Sequence, residues 1–427
     1  MPELPPASTT SLPPKGPFIK REYLIGFILI TSLFFLWAVA NNFNDILIRQ
    51  FQKALDLTRA EAGFIQFVFY LAYFLFALPA GLLMKRFGYR AGILTGLSLY
   101  AIGALLFYPA AEVREYAWFL TALFVLASGA AFLETAANPY VAAFGDPSRA
   151  PQRLNLAQAF NGLGGVMAPI LGGVFIFSGV EHSADTLNAM SQADLLAFRA
   201  SEAKTVQAPY LVLALVVIVI AIAMAFVKLP AVENEQSVTD GTDVRLSRTG
   251  LFPAVIAQFF YVGAQVGIWS FFVDFVKDVT PQYTEKEAAV MLSVSLALFM
   301  IGRFIGTALM QKISAARLLM IFSLINIFLC ATAAFASGLV AVAALGLTSL
   351  FMSIQFPTIF ALGIRGLGSK TSIGSSFIIM AIIGGAIFPP LMGYVGHSIG
   401  NMQYAFLLPM ICFGVICVYA RAQAKRP

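Results

Sequence analysis

Residues 164–173 read GGVMAPILGG, and residues 384–393, 220 positions later, read GGAIFPPLMG. The two leading glycines, the central Pro169 and Pro389, and the final glycine coincide in the two stretches. Glycine and proline are common in membrane helices, so one such match is weak evidence. It nevertheless indicates that the second half of the chain repeats the first.

Two further pairs of segments match in the same order, at offsets near 220. LLMKRFGYRAGIL (82–94) is similar to ALMQKISAARLLM (308–320), and NPYVAAFG (138–145) is similar to FPTIFALG (356–363). Three matches in one order predict a duplicated six-helix unit. Parallel six-helix repeats, related by an axis along the membrane normal, form the architecture of major facilitator transporters.

The composition is that of a protein that crosses the membrane many times. Of the 427 residues, 59% are hydrophobic and 11% are charged, and the mean hydropathy is +0.83. Soluble domains carry about 25% charged residues. A spanning helix needs roughly 20 mostly apolar residues. The sequence predicts twelve spans: 22–48, 60–84, 91–111, 117–144, 154–179, 208–229, 251–276, 287–310, 318–338, 339–364, 372–397 and 403–421.

The distribution of basic residues predicts the orientation. If the N-terminus lies inside the cell, most of the 27 Lys and Arg residues fall in cytoplasmic segments, as is usual for membrane proteins. We therefore expect both termini in the cytoplasm of a bacterial cell, with the chain in the inner membrane. The membrane also explains the net charge of +6 better than binding to nucleic acid does.

Polar segments divide the chain into two predicted bundles. The insertion at 180–207 includes an amphipathic piece, DLLAFRASEAK (194–204), which we expect to form a helix over the outer mouth. No cleavable signal peptide is predicted. The predicted order is a disordered tail (1–21), a six-helix bundle (22–229), a linker (230–250), a second six-helix bundle (251–421) and a short tail (422–427).

Several segments closely resemble the fucose–galactose–hexose branch of the major facilitator superfamily, and most of all its L-fucose–proton symporters. The resemblance covers almost the whole chain in order and implies that a monosaccharide, L-fucose or a related hexose, is carried together with a proton. The matching segments are FLWAVANNFNDIL (35–47), LETAANPYV (133–141), RLNLAQAFN (153–161), AQFFYVGAQVGIWS (257–270), IGRFIGT (301–307), SIQFPTIFALGI (353–364) and GSSFIIMAIIGG (374–385).

Two positions differ from related patterns. Lys85 follows helix 2 where the wider superfamily often has an acidic residue, a variant that is usual in this branch. Phe356 stands where the L-fucose permeases have tyrosine. The missing hydroxyl removes a potential hydrogen bond to a sugar, so the resemblance leaves the identity of the sugar open.

Two carboxylates, Asp45 and Glu134, fall inside predicted spans. Intramembrane acids usually face an internal cavity and carry protons, ions or polar substrates. Burial disfavours the charged form of a carboxyl, so such a group can exchange a proton during transport. We predict that Asp45 and Glu134 couple proton movement to transport. The alternative for Glu134 is a structural acid that stays protonated.

Polar side chains at helical spacing predict a binding cavity. On span 1, an indole, two amides and a carboxylate share one face, a mixture that suits the hydroxyls and the C–H face of a sugar; helix packing is the alternative reading. The resemblance implies that two amides on span 5 contact the substrate. The predicted substrate-binding residues are Trp37, Asn41, Asn42, Asn138, Gln158, Asn161, Tyr261, Gln265, Trp269, Gln355 and Phe356.

The remaining chemistry-bearing residues predict no further site. Cys330, Cys412 and Cys417 lie in apolar segments without metal-ligand spacing, and the chain has two histidines. We therefore expect no metal site, no cofactor and no enzymatic step. Arg303 lies seven residues before the cytoplasmic end of its span and is predicted to reach the inner membrane interface.

The sequence predicts a monomeric monosaccharide–proton symporter that works by alternating access. A symporter for another sugar, such as glucose, galactose or N-acetylglucosamine, shares these features. A proton-exchanging drug or metabolite antiporter has the same fold and also uses membrane acids, although the amides favour a hydroxyl-rich ligand. A sugar sensor that does not transport has least support, since the loops contain no recognisable output domain.

Overall fold

The structure is a computed structural model that describes residues 16–55, 59–175, 186, 189–227 and 250–425, and nearly all of them are helical. Within these ranges no β-strand is found. The helices are α1 Leu24–Leu55, α2 Arg59–Phe87, α3 Tyr89–Val113, α4 Tyr116–Ala143, α5 Ala150–Phe175, α6 Gln192–Lys204, α7 Gln207–Phe226, α8 Leu251–Ser270, α9 Phe272–Val279, α10 Glu285–Leu309, α11 Ala315–Phe335, α12 Gly338–Met352, α13 Gln355–Ile364, α14 Thr371–Met380, α15 Gly384–Ile399 and α16 Leu407–Ala424.

Eleven stretches of the described residues are long and apolar enough to cross a membrane. They overlap eleven of the twelve predicted spans. The remaining predicted span, 154–179, corresponds to α5. This helix has 26 residues but is not among the eleven stretches. Most of the predicted tail 1–21 and linker 230–250 lies outside the described residues.

Three of the predicted spans contain a break in the helix. The span 251–276 divides at Phe271, the span 339–364 divides after Met352, and the span 372–397 contains a 3₁₀ turn at Ala381–Ile383. A break in a buried helix leaves backbone carbonyls that need hydrogen-bond donors. The Met352 carbonyl accepts one from the Tyr261 hydroxyl at 3.2 Å.

The helix α4 lies at the centre of the first half, packed against α2, α3 and α5. Its long run of small residues, SGAA at 128–131, allows this close packing. A Cβ added at Gly129 would overlap the backbone nitrogen of Tyr100 on α3, so only glycine fits at this crossing. As a result, side chains in the second half of α4 are buried on every side of the helix.

The helices form two groups that touch each other. In the first, α1 to α5 and α7 pack together, and in the second, α8 to α16 do so. The groups meet where α5 contacts α10 and α13, and where α14 contacts α2 and α4.

The amphipathic segment 194–204 forms most of α6, which confirms that it is helical. The Ser191 hydroxyl caps the helix by accepting from the Asp194 amide at 3.1 Å. At its other end Glu202 is buried, and its carboxylate accepts from Gln50 of α1 at 2.8 Å. The helix is therefore fastened to α1 at the end that is far from the α4–α5 turn.

Candidate functional site

Glu134 lies in the second half of α4 and is 8% exposed. Its carboxyl lies close enough to the hydroxyl of Tyr73 on α2 for the two groups to interact. The prediction that this acid is buried among helices is confirmed. A buried carboxyl with a neutral hydroxyl partner can exist in either protonation state, because the hydroxyl can donate to the ionised form and accept from the protonated form.

Tyr73 connects Glu134 to the polar face of α1. Asn41 Nδ2 donates to the Tyr73 hydroxyl oxygen at 3.5 Å, the long limit for a hydrogen bond. Asn41 is partly exposed, and its Oδ1 has no hydrogen-bond partner among the described residues. The amide therefore has a buried acceptor that is not used in this conformation.

A second polar chain runs from α4 into α5. Asn138, one turn after Glu134, donates from Nδ2 to the Glu134 carbonyl at 2.8 Å. Its Oδ1 accepts from Gln158 Nε2 at 3.3 Å. Asn161 Nδ2 donates to the Phe34 carbonyl of α1 at 3.2 Å. The predicted amides on α4 and α5 therefore lie close to Glu134 and are held in fixed orientations.

Arg303 on α10 does not reach the membrane interface, and the prediction that it does is wrong. It is 3% exposed. Its guanidinium lies 4.4 Å from the centre of the Phe299 ring, and Nε donates to the Ser353 carbonyl at 3.2 Å, at the break between α12 and α13. The guanidinium therefore has buried backbone and aromatic partners where it lies.

The Arg303 guanidinium also joins the two groups of helices. Its Nη1 donates to the Gln158 carbonyl and lies 3.4 Å from Asn161 Oδ1, both on α5. It is also close enough to Glu134 for their charges to interact. This buried cation thus contacts the Asn161 side chain and the Gln158 backbone, and its charge acts on the acid.

The predicted residues on α1 have different environments. Trp37 is 2% exposed and packs at a tilt against Phe34, with ring centres 4.3 Å apart, so its ring is covered in this conformation. Asn42 is partly exposed and donates to the Ala38 carbonyl one turn back at 2.7 Å. Asp45 belongs to α1, but its side chain lies outside the described residues.

The predicted residues of the second half lie on α8 and α13. Trp269 is partly exposed, donates from Nε1 to Ser349 Oγ at 3.0 Å and packs edge-on against Phe299. Gln265 is also partly exposed, one turn before Trp269. Phe299 also contacts Arg303, so it connects Trp269 to the buried cation.

The three other predicted residues of this half are buried. The ring of Tyr261 packs edge-on against Phe356 at 6.3 Å. Gln355 donates to the Phe351 carbonyl one turn back at 3.1 Å. The hydrogen bonds described for Tyr261 and Gln355 therefore go to backbone carbonyls of their own half.

The two halves are in contact at the end that carries the α4–α5 turn. Asn155, near the start of α5, donates to Thr358 Oγ1 of α13 at 3.2 Å. Near the end of α2, Gly81 packs directly on Ser376 of α14. Helices of the two halves therefore touch each other at this end.

Sequence reasoning missed Tyr73 and misplaced Arg303. Tyr73 is one of several aromatic residues in the segment FVFYLAYF at 67–74, and no polar periodicity distinguishes it. For Arg303 a signal existed, since a charge within a span indicates a functional site unless a specific reason argues otherwise.

Comparison with known proteins agrees with this geometry. The sequence signature described as Major Facilitator Superfamily matches residues 23–382. The L-fucose-proton symporter of Escherichia coli (strain K12) is 46% identical over 414 residues, which are 95% of this chain and 94% of that protein. The glucose/galactose transporter of Brucella abortus (biovar 1, strain 9-941) is 40% identical over 424 residues, 97% of this chain and 99% of that protein.

A solved structure is also similar over nearly the whole chain. The crystal structure of the transporter FucP in the outward conformation matches with a TM-score of 0.88 and 46% identity, and covers 95% of this chain and 100% of that one. These relatives are transporters and not enzymes, as the sequence predicted, and the predicted resemblance is confirmed. The chain is a multi-pass membrane protein that belongs to the Major Facilitator Superfamily.

Proposed function

We propose that this chain is a monosaccharide–proton symporter of the bacterial inner membrane. The observation that carries the proposal is the buried Glu134 carboxyl, linked through Tyr73 to the partly exposed Asn41. A protonatable acid and sugar-type hydrogen-bonding groups thus share one network. The similarity to a protein named L-fucose-proton symporter supports the same function.

The substrate is L-fucose or a related hexose. A glucose/galactose transporter is nearly as similar to this chain as the L-fucose-proton symporter is. Phe356 is 8% exposed and packs against Tyr261. Because Phe356 has no hydroxyl, it offers a sugar an apolar edge, and this favours a hexose whose recognition does not need a donor there.

Asp45 and Glu134 couple the proton to transport. The residues that contact the sugar during the cycle are Trp37, Asn41, Asn42, Asn138, Gln158, Asn161, Tyr261, Gln265, Trp269, Gln355 and Phe356. The partial exposure of Asn41, Asn42, Asn161, Gln265 and Trp269 in this conformation supports their part in the assignment. The buried members meet the sugar only after the halves move.

The transporter has twelve spans with both termini in the cytoplasm. Residues 22–229 and 251–421 act as two units, joined by the linker 230–250, and one chain is sufficient for transport. In this orientation the α4–α5 turn lies on the cytoplasmic side. The contacts Asn155–Thr358 and Gly81–Ser376 then close the inner end, as in an outward-facing state.

Transport follows from movement of the two units about the central site. Protonated protein binds sugar from outside, the units rock, and the inner contacts separate. The sugar leaves, and the proton moves to the more alkaline cytoplasm. A ligand shifts such an equilibrium only through different affinities for the two states, so the contacts of Arg303 with α5 must change during the cycle.

Uptake by purified protein in liposomes tests this proposal. Radiolabelled L-fucose, D-galactose, D-glucose and N-acetylglucosamine are each supplied with and without an inward proton gradient. We expect accumulation of one of these sugars above its external concentration only with the gradient. Uptake that is indifferent to the gradient argues against proton coupling, and no uptake of any of these sugars argues for an antiporter or a sensor.

A further inference from the structure

The buried hydroxyl of Tyr73 lies between the acid and the sugar-facing amide. Tyr73 is 1% exposed, and its ring packs against Phe69 with ring centres 5.2 Å apart. The hydroxyl accepts from Asn41 Nδ2 on α1 and lies close enough to the Glu134 carboxyl on α4 to interact with it. The ring of Tyr73 is therefore held in place, while its hydroxyl hydrogen can rotate toward different acceptors.

The hydrogen-bonding capacity of these groups restricts their combinations. A phenol has one hydrogen to donate, and an ionised carboxylate can only accept. When Glu134 is ionised, Tyr73 must donate to it, and the Tyr73 oxygen then accepts from Asn41. When Glu134 is protonated, its own hydrogen can be donated to the Tyr73 oxygen, where it competes with the Asn41 amide.

The Asn41 contact is long, and the Asn41 residue is partly exposed. At 3.5 Å it is at the limit of hydrogen-bond length. The Oδ1 atom of the same amide has no partner among the described residues. A sugar hydroxyl that binds Asn41 can satisfy the buried Oδ1 only if the amide turns, and this turn withdraws its Nδ2 from Tyr73.

We propose that Tyr73 is a positioning residue that links occupancy of Asn41 by sugar to protonation of Glu134. This inference rests on the proposed function. In the empty site, Asn41 holds Tyr73 as a donor to Glu134, which favours the ionised carboxylate. In the loaded site, Tyr73 is free to accept, which favours the protonated acid. Sugar and proton therefore bind with positive cooperativity, and each strengthens the other equally.

Other titratable groups surround the pair but do not connect it to the sugar. Arg303 of α10 acts on Glu134 by its charge, and Tyr261 of α8 lies close to Arg303. Tyr100 of α3 is close enough to Tyr73 to influence it electrostatically. These influences remain when the Tyr73 hydroxyl is removed, so the Tyr73→Phe variant isolates the hydroxyl.

Sugar affinity as a function of pH tests the inference in the purified full-length protein. The probe is the sugar that the wild type accumulates in liposomes. In the wild type we expect its Kd to rise about tenfold or more between pH 6 and pH 8, a typical size for coupling between two sites. In Tyr73→Phe we expect a rise of less than about threefold, with sugar exchange retained.

Tyr100→Phe is the matched control. Tyr100 is also a tyrosine at 1% exposure, and its hydroxyl has no hydrogen-bond partner among the described residues. This variant should keep the wild-type rise in Kd. If Tyr73→Phe fails to fold, Asn41→Val removes the other end of the same bond and should also flatten the pH dependence, although it weakens sugar binding at every pH.

The outcomes separate this inference from the proposed function. A wild type with gradient-driven uptake, together with folded Tyr73→Phe or Asn41→Val protein that retains the wild-type pH dependence, overturns the inference alone. A wild type with neither gradient-driven uptake nor pH-dependent affinity overturns the proposed function, and the inference with it. Loss of the pH dependence in Tyr100→Phe as well would assign the effect to packing and also overturn the inference.

Discussion

Arg303 of α10 reaches across the boundary between the two halves of the molecule and lies 3.4 Å from Asn161 of α5, measured from Nη1 to Oδ1. The same guanidinium donates to the Gln158 carbonyl. A planar group with several donors suits such a branched contact, and the compact ammonium of lysine does not reproduce it. The proposed sugar amides of the first half are thus positioned by a cation of the second.

Replacement of Arg303 should impair transport even when charge is kept. For Arg303→Lys we expect the rate of sugar exchange to fall about tenfold or more, since the loss of one hydrogen bond to a charged group is worth about that factor. Counterflow in liposomes measures this rate. Arg317→Lys, at an exposed position on α11, is the control. An Arg303→Lys rate equal to that of the wild type would show that the branched contact is not needed.

A larger residue at Gly81 should prevent closure of the end that carries the α4–α5 turn. A Cβ at this position would overlap Ser376 Oγ and lie 2.9 Å from the Ser372 carbonyl oxygen. We therefore expect Gly81→Val to be folded but to lose most sugar exchange, because the closed state is no longer available. Exchange in liposomes and thermal unfolding in detergent measure both properties.

The matched control for Gly81→Val is a substitution at Gly414 on α16, where an added Cβ meets nothing within 4 Å. Gly414→Ala should exchange sugar like the wild type. Normal exchange by Gly81→Val would mean that contact between α2 and α14 at this site is not part of the cycle.

Restoring a hydroxyl at Phe356 should change the choice of sugar. Phe356→Tyr leaves the edge-on packing with Tyr261 in place and adds a donor. We expect the affinity for L-fucose to rise by about two- to tenfold relative to D-glucose, the usual size of one neutral hydrogen bond. Competition between the two sugars for binding measures the ratio. An unchanged ratio would exclude position 356 from sugar recognition.

The turn between α4 and α5 should lose stability in acid. The hydroxyl and amide of Ser148, and then the Gly16 amide at 2.6 Å, hold the pKa of Asp146 below its ordinary value. Because the pKa is lower in the folded state, the ionised carboxylate stabilises the folded protein at pH values above the unfolded pKa of about 3.9. This stabilisation is lost as the pH falls through the folded pKa.

The acid dependence of Asp146 can be measured by thermal unfolding in detergent. Asp146→Ala should melt below the wild type at pH 7, and the difference should shrink below about pH 4. Asp146→Asn keeps an acceptor oxygen without the charge, and at pH 7 its melting temperature should lie between those of Asp146→Ala and the wild type. A difference between Asp146→Ala and the wild type that is independent of pH would contradict the proposed role of the carboxylate.

The fold was predictable because composition and repetition are properties of the whole sequence. Apolar runs of spanning length and three matched pairs of segments were sufficient to identify a duplicated six-helix unit. The breaks after Met352 and at Phe271 were not predictable in the same way. They depend on which side chains satisfy the freed carbonyls, such as Tyr261 for Met352, and that is decided by helices distant in sequence.

The site was predictable only where polarity contrasts with its surroundings. Glu134 and the amides Asn138 and Gln158 stand out in apolar spans, and the structure brings them together. Tyr73 does not stand out, because it is one of many aromatic residues in α2. Its role appears only when α1, α2 and α4 are packed side by side.

Gradient-driven accumulation by Glu134→Gln tests the central claim most directly. Glutamine keeps the size and the hydrogen-bonding capacity of a protonated carboxyl but cannot release a proton. We expect this variant to exchange sugar across the membrane but to lose accumulation against a concentration difference when an inward proton gradient is imposed. Glu202→Gln, which changes a buried acid on α6, should accumulate sugar like the wild type. Undiminished accumulation by Glu134→Gln would contradict the account.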